Sequence, residues 1–151
     1  MLGEMTDLEI EAFLQSERIG RIGCHAGGMT YVVPVLYVFR EGGVYGHSTE
    51  GRKIRTMRRN PEVCFEVDRV NGINDWRSVI SWGRYEELTG DDGMQAMELL
   101  MKNLVRDSPA RSDHPSYPVR TAGVRGPNSE GIPIVVYRLR ITKKRGRFES
   151  P

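Results

Sequence analysis

The segment 31–39 reads Tyr-Val-Val-Pro-Val-Leu-Tyr-Val-Phe, the strongest β signal in the chain. Branched and aromatic side chains suit a pleated, half-buried surface better than a helix. Pro34 stands in the middle of the run. Proline cannot donate to a ladder, so this strand must lie at an edge, carry a bulge, or turn its backbone toward a ligand. The fold must therefore accommodate a long apolar strand that is incompletely paired.

Five further β runs are predicted at 18–25, 44–47, 63–70, 77–88 and 134–141. Val63, Phe65 and Val67 alternate with Cys64, Glu66 and Asp68, the period of a strand with two unlike faces. Gly27-Gly28, Glu41-Gly42-Gly43 and Asn71-Gly72 supply the turns, and Gly83 marks a bulge. Three helices fall between them. Thr6-Asp7-Leu8-Glu9 is a capping box, with Met5 and Ile10 at the staple positions, which predicts a helix over 6–16. Ile54 and Met57 recur at helical spacing until Asn60-Pro61 stops the pattern. A third helix starts at Thr89-Gly90-Asp91-Asp92, and its stripe of Met94, Met97, Met101 and Leu104 reads as core packing. The expectation is a mainly β, α+β fold: a six-stranded antiparallel barrel with appended helices.

At 151 residues, with 38% hydrophobic and 28% charged residues, the chain fits a single soluble domain. No run approaches the roughly 20 apolar residues of a membrane span. With no signal-peptide pattern, a reducing cytoplasm is the expected location. A net charge of +2 argues against nucleic acid as a partner. The cations at 143–151 read as a solvated basic tail. Cys24 and Cys64 lack the spacing of a metal site and read as inert buried thiols, so no metal is expected. The segment 107–131 holds four prolines and few apolar residues, the composition of a long polar loop or lid.

The chemistry concentrates where Val44-Tyr45-Gly46 runs into His47-Ser48-Thr49 and then the second helix. Ser48 or Thr49 is the expected N-cap. Free N–H groups, the positive helix end, Lys53, Arg52 and Arg55 would converge on a phosphate there. Gly46-x4-Gly51 is not a P-loop, since Arg52-Lys53-Ile54 replaces the Gly-Lys-Ser/Thr order, and a mononucleotide phosphate is favoured over a triphosphate. Lys53 and Ser48 read either as ligand contacts or as a solvated helix start. His47 reads equally as an acid, base or phosphate donor, or as a capping or core histidine. No GxGxxG unit is present, so a nicotinamide would have no Rossmann domain to bind.

The ordered set Arg18-Ile-Gly-Arg-Ile-Gly, Tyr31-Val-Val-Pro-Val-Leu-Tyr37, Tyr45-Gly-His-Ser48, Gly51-Arg-Lys53-Ile54, Met57-Arg-Arg-Asn-Pro61 and Trp76-Arg-Ser-Val-Ile-Ser-Trp-Gly-Arg-Tyr-Glu-Glu-Leu88 resembles the flavin-binding split-barrel superfamily of pyridoxamine 5′-phosphate oxidase. Within it the chain is most similar to the nitroimidazole-resistance (Nim-type) branch. The resemblance implies a split barrel holding FMN at a homodimer interface. It implies a phosphate near His47, Ser48 and Lys53, and an isoalloxazine ring on the backbone of Pro34, Val35, Leu36 and Tyr37. Ser81 and Trp82 would approach the same site, from the same subunit or its partner. The implied reaction carries electrons from NAD(P)H through FMN to a small acceptor such as a nitroaromatic, with His47 as the catalytic group. A non-catalytic flavin or haem binder and a deazaflavin-dependent reductase are the alternatives. The residues that hold substrate phosphate in true pyridoxamine-phosphate oxidases have no counterpart here.

Overall fold

The computed structural model describes residues 1–106 and 133–151. In chain order these form β1 (Leu2–Glu4), α1 (Asp7–Ser16), β2 (Ile19–Ala26), β3 (Met29–Leu36), β4 (Val38–Arg40), β5 (Gly43–Thr49), α2 (Arg52–Arg59), β6 (Glu62–Gly72), β7 (Asp75–Leu88), α3 (Gly90–Arg106) and β8 (Ile134–Glu149). The expected long loop at 107–131 lies outside the described residues.

All strands join one eight-stranded sheet in the order β3-β2-β6-β7-β8-β5-β4, with β1 added beside β8, and every pairing is antiparallel. The two ends of this order, β3 and β4, are successive pieces of one extended stretch separated only by Tyr37. Covalent chain, not a hydrogen-bonded ladder, therefore closes the circuit. The architecture is a split barrel.

The six expected strands become eight for two reasons. β1 is too short to show a period, and the 31–39 run breaks at Tyr37. Its ring turns inward, 1% exposed, its hydroxyl donates to Leu14 O at 2.7 Å, and its N–H donates to Arg18 O at 2.9 Å. The Arg18 bond extends the β2–β3 register by one pair, the hydroxyl bond ties Tyr37 to α1, and the chain then turns to pair with β5. Pro34 sits opposite Arg21 on β3, an edge strand of the sheet, where a missing donor costs least. β8 also runs past Ile141 to Glu149, so the basic segment expected as a solvated tail is strand, paired with β7 and β1.

Leu14, Ile22, Phe65, Val67, Val79 and Leu139 fill the barrel with no exposed surface, each contributing about 1.5–3 kcal/mol through burial. α1 closes one end. Thr6 and Glu9 form both halves of its capping box, and Met5 and Ile10 pack over Gly146, where a side chain would collide with both. α2 lays Ile54 and Met57, both fully buried, against the barrel. α3 buries Ala96 and Leu100 against Val136, while Met97 and Leu104 flank them. Met94, expected within the packing stripe, is 59% exposed, because the buried face centres on Ala96 and Leu100.

Candidate functional site

β5 stays extended through Thr49 because β8 pairs with it to the end: His47 opposes Val136, Ser48 opposes Val135, and Thr49 opposes Ile134. Glu50 and Gly51 then turn the chain into α2. This corrects the expected cap. The N-cap residue is Gly51, in extended conformation, and no side chain caps the helix. Ser48 is still in the strand, and its hydroxyl donates to the Thr49 carbonyl at 2.8 Å.

The first turn of α2 is electrostatically unusual. Arg52 and Lys53 occupy its first two positions, and no acidic residue balances them. Cations at a helix N-terminus oppose the dipole, and each such placement is unfavourable by about 0.3–1 kcal/mol. Lys53 is half-buried and forms no ion pair among the described residues. Loss of hydration lowers its pKa, offset in part by the Cys24 thiol nearby. His47 is shifted the same way, first by desolvation and then by the Lys53 ammonium. Its face toward solvent tempers that shift. The structure thus brings His47 and Lys53 together, with uncapped N–H groups beside them. An anion placed there would relieve the desolvated ammonium, the dipole clash and the open donors at once.

Two contacts here lie beyond what sequence reasoning found. Cys24, on β2 opposite Tyr31, approaches Lys53, and burial pushes its thiol up. Arg52 lies over the Tyr31 ring, 5.9 Å from its centroid. Neither pair is close in sequence, and both depend on the β2–β3 register and on how α2 lies across that hairpin.

Pro34, Val35 and Leu36 end β3, and Tyr37 follows them. Val35 and Tyr37 are buried, whereas Pro34 and Leu36 face outward, Leu36 being 52% exposed. Tyr31, which opposes Cys24, lies three residues before Pro34, about 10 Å along β3 and on the other face of the strand. Register then fixes Trp82. Pro34, Arg21, Glu66, Ile80 and Arg145 form one row across five strands, and Val32, Gly23, Cys64, Trp82 and Lys143 form the next. Trp82 faces outward, 38% exposed, with the Lys143 ammonium 5.4 Å from its ring centroid. Three strand spacings, about 14 Å, separate it from β3 in the same subunit. Ser81, next to it, points into the core with no exposed surface, and its hydroxyl lacks a hydrogen-bond partner among the described residues. One subunit therefore brings His47 and Lys53 near each other, with Ser48 on the other face of β5, and it keeps Trp82 apart from Pro34.

A cavity of about 290 Å³ opens beside the β3 edge, lined by Ser16, Glu17, Arg18, Ile19, Arg21 and Asp68. Ile19 and Arg21 pair with Leu36 and Pro34. Arg21 also bridges Glu66 at 3.2 Å and Asp68 at 3.5 Å.

Residues 6–147 match the pyridoxamine 5′-phosphate oxidase family. The chain belongs to that family. A FAD-binding protein from Mesorhizobium loti is 30% identical, with a TM-score of 0.74 over 99% of both chains. An uncharacterized protein of Rhizobium meliloti (strain 1021) is 28% identical over 105 residues, 70% of each chain. A candidate 5-nitroimidazole antibiotic resistance protein from Bacteroides thetaiotaomicron superposes with a TM-score of 0.68, covering 98% of this chain and 87% of that one. At 19% identity that last likeness is one of fold. The family's split barrel is the architecture described above.

Proposed function

We propose that this family member is an FMN-binding reductase, working as a homodimer in the cytoplasm, that passes electrons from NAD(P)H to a small organic acceptor, nitroaromatics among them. The observation that carries the reading is the half-buried, unpaired Lys53 beside His47 at an uncapped helix end with no acidic residue in its first turn. That arrangement fits a phosphate. From Tyr31, which opposes the Cys24 near Lys53, β3 runs about 10 Å to Pro34, a length that suits a flavin mononucleotide lying along the strand. The FAD-binding relative from Mesorhizobium loti, at 30% identity, supports a flavin as the ligand class.

When bound, a flavin supplies hydride and single-electron transfer, chemistry that no side chain here provides. The protein's own residues do the rest. Lys53 and Ser48 hold the phosphate, and His47, neutral at pH 7 in the free protein, takes up a proton when the anion arrives. The backbone from Pro34 to Tyr37 forms a flat edge for the ring, since Val35 and Tyr37 turn their side chains into the core. The cavity by Arg21 and Asp68 lies next to that edge and is open to a small acceptor. Trp82 reaches the ring from a second copy, because about 14 Å separates it from β3 within one subunit. Ile19, Val32, Leu36, Ile80 and Trp82 are all exposed on the outward sheet face that such a partner would cover.

The deciding experiment is an FMN titration followed by flavin fluorescence, in the wild type and in Lys53→Ala/Ser48→Ala. The double variant should keep its circular dichroism spectrum and bind FMN about 10- to 100-fold more weakly, the loss of charge-assisted phosphate contacts. Equal affinity in the two proteins would remove the phosphate site from Lys53. A wild type that binds no flavin would overturn the whole reading.

A further inference from the structure

Five cations fall within the eight residues of α2: Arg52, Lys53, Arg55, Arg58 and Arg59. Only Arg58 is neutralised by carboxylates among the described residues, by Glu50 at 2.7 Å and by Glu87. At 100° per residue, Arg52, Arg55 and Arg59 project opposite the buried Ile54 and Met57, forming one exposed stripe along the helix. Like charges at i,i+3 and i,i+4 repel, so the stripe weakens a short helix that already lacks a side-chain cap. A solvated face would spread or pair its charges, and this one does neither.

The β2–β3 hairpin borders the stripe. Arg52 lies over the Tyr31 ring and touches Met29 Sδ at 3.3 Å, and the Arg59 guanidinium packs beside Gly27 at the turn. Tyr31 opposes Cys24, which approaches Lys53, so this surface adjoins the phosphate position already assigned to Lys53. Flat aromatic and guanidinium groups beside unpaired cations suit a base attached to consecutive phosphates.

We propose that Arg52, Arg55, Arg59 and Tyr31 form a subsite for an adenosine diphosphate group, continuous with the Lys53 phosphate position. The inference rests on the flavin reading of Lys53 and deepens it: the site extends beyond one phosphate. Two dinucleotides carry this group, FAD itself and the reduced nicotinamide donor.

The test uses the full chain, titrated with FMN, FAD and ADP, beside Arg59→Gln, whose exposed position leaves the core untouched. ADP should bind the wild type, and the variant should bind it about tenfold more weakly. If ADP displaces FAD and the FAD-to-FMN affinity ratio falls in the variant, the subsite holds the cofactor's own adenylate. If ADP instead competes with NADPH on FMN-loaded protein, and the variant raises the KM for NADPH without changing the FMN titration, it holds the donor. ADP binding with no flavin binding at all would keep the subsite and sink the flavin reading. ADP that neither binds nor competes, with FAD and FMN bound equally, would overturn the subsite.

Discussion

Lys53 acts on His47 across the strand-to-helix turn, and both have pKa values below their ordinary ranges. For His47 the ordinary value is 6.5, so the unfolded chain takes up its proton before the folded one does. This contribution is fully present above pH 6.5 and is lost as pH falls from there through the folded value. In urea titrations of ligand-free protein, His47→Asn should therefore flatten the stability loss as pH falls below 6.5 relative to wild type. Identical slopes would show that neither burial nor Lys53 lowers the ring's pKa. Gly83 makes a second residue-scale prediction. A Cβ there would overlap the backbone carbonyl of Arg140, which cannot rotate away as a side chain could. Gly83→Ala should lower stability by about 1–3 kcal/mol, read from the urea midpoint. The bulge at Trp82/Gly83 was legible because a glycine interrupting an apolar strand commonly marks a bulge or a close backbone approach. The meeting of Lys53 with Cys24, and of Arg52 with Tyr31, was not. Both depend on which β2 residue opposes which β3 residue and on how α2 lies across that hairpin.

Elements with local signals were readable from their own residues. α1 carries its start on its face: Thr6 accepts from the Glu9 N–H at 3.2 Å and Glu9 accepts from the Thr6 N–H at 2.9 Å. Thr6→Ala should cost about 1 kcal/mol in the urea midpoint while leaving FMN affinity unchanged, since Thr6 caps the end of α1 opposite Leu14 and Ser16, which adjoin Tyr37 and the cavity. The extent of α2 was legible, but its cap was not. A hydroxyl near a helix start is the usual cap, yet pairing with β8 holds Ser48 and Thr49 in the strand, and Gly51 takes the position instead. Long-range pairing also sets the other boundaries that local patterns miss. The 31–39 run breaks because Tyr37 bonds to α1, and β8 continues through basic residues because β7 and β1 flank it. Nothing in the local sequence records such partners.

At the scale of the molecule, the separation of Trp82 from Pro34 predicts that assembly and flavin binding are linked. Light scattering should find a dimer, and dilution that dissociates it should release flavin in parallel. A monomer retaining FMN at wild-type affinity would break the link. The barrel itself was legible as a class from alternating strands and short turns, but the sheet order was not, because no local pattern says that the final strand lies between β7 and β5.

That position of β8 shapes the protein's birth as well as its form. β7 and β5 await a strand that follows them by dozens of residues, so on the ribosome each has an open edge until the last strand emerges. A nascent chain stalled before residue 134 has hairpins but no barrel, and unpaired apolar edges invite association with neighbouring chains. Productive folding thus waits for β8 to be made, and loss of that strand, even with every site residue intact, would leave a chain destined for chaperones and proteolysis.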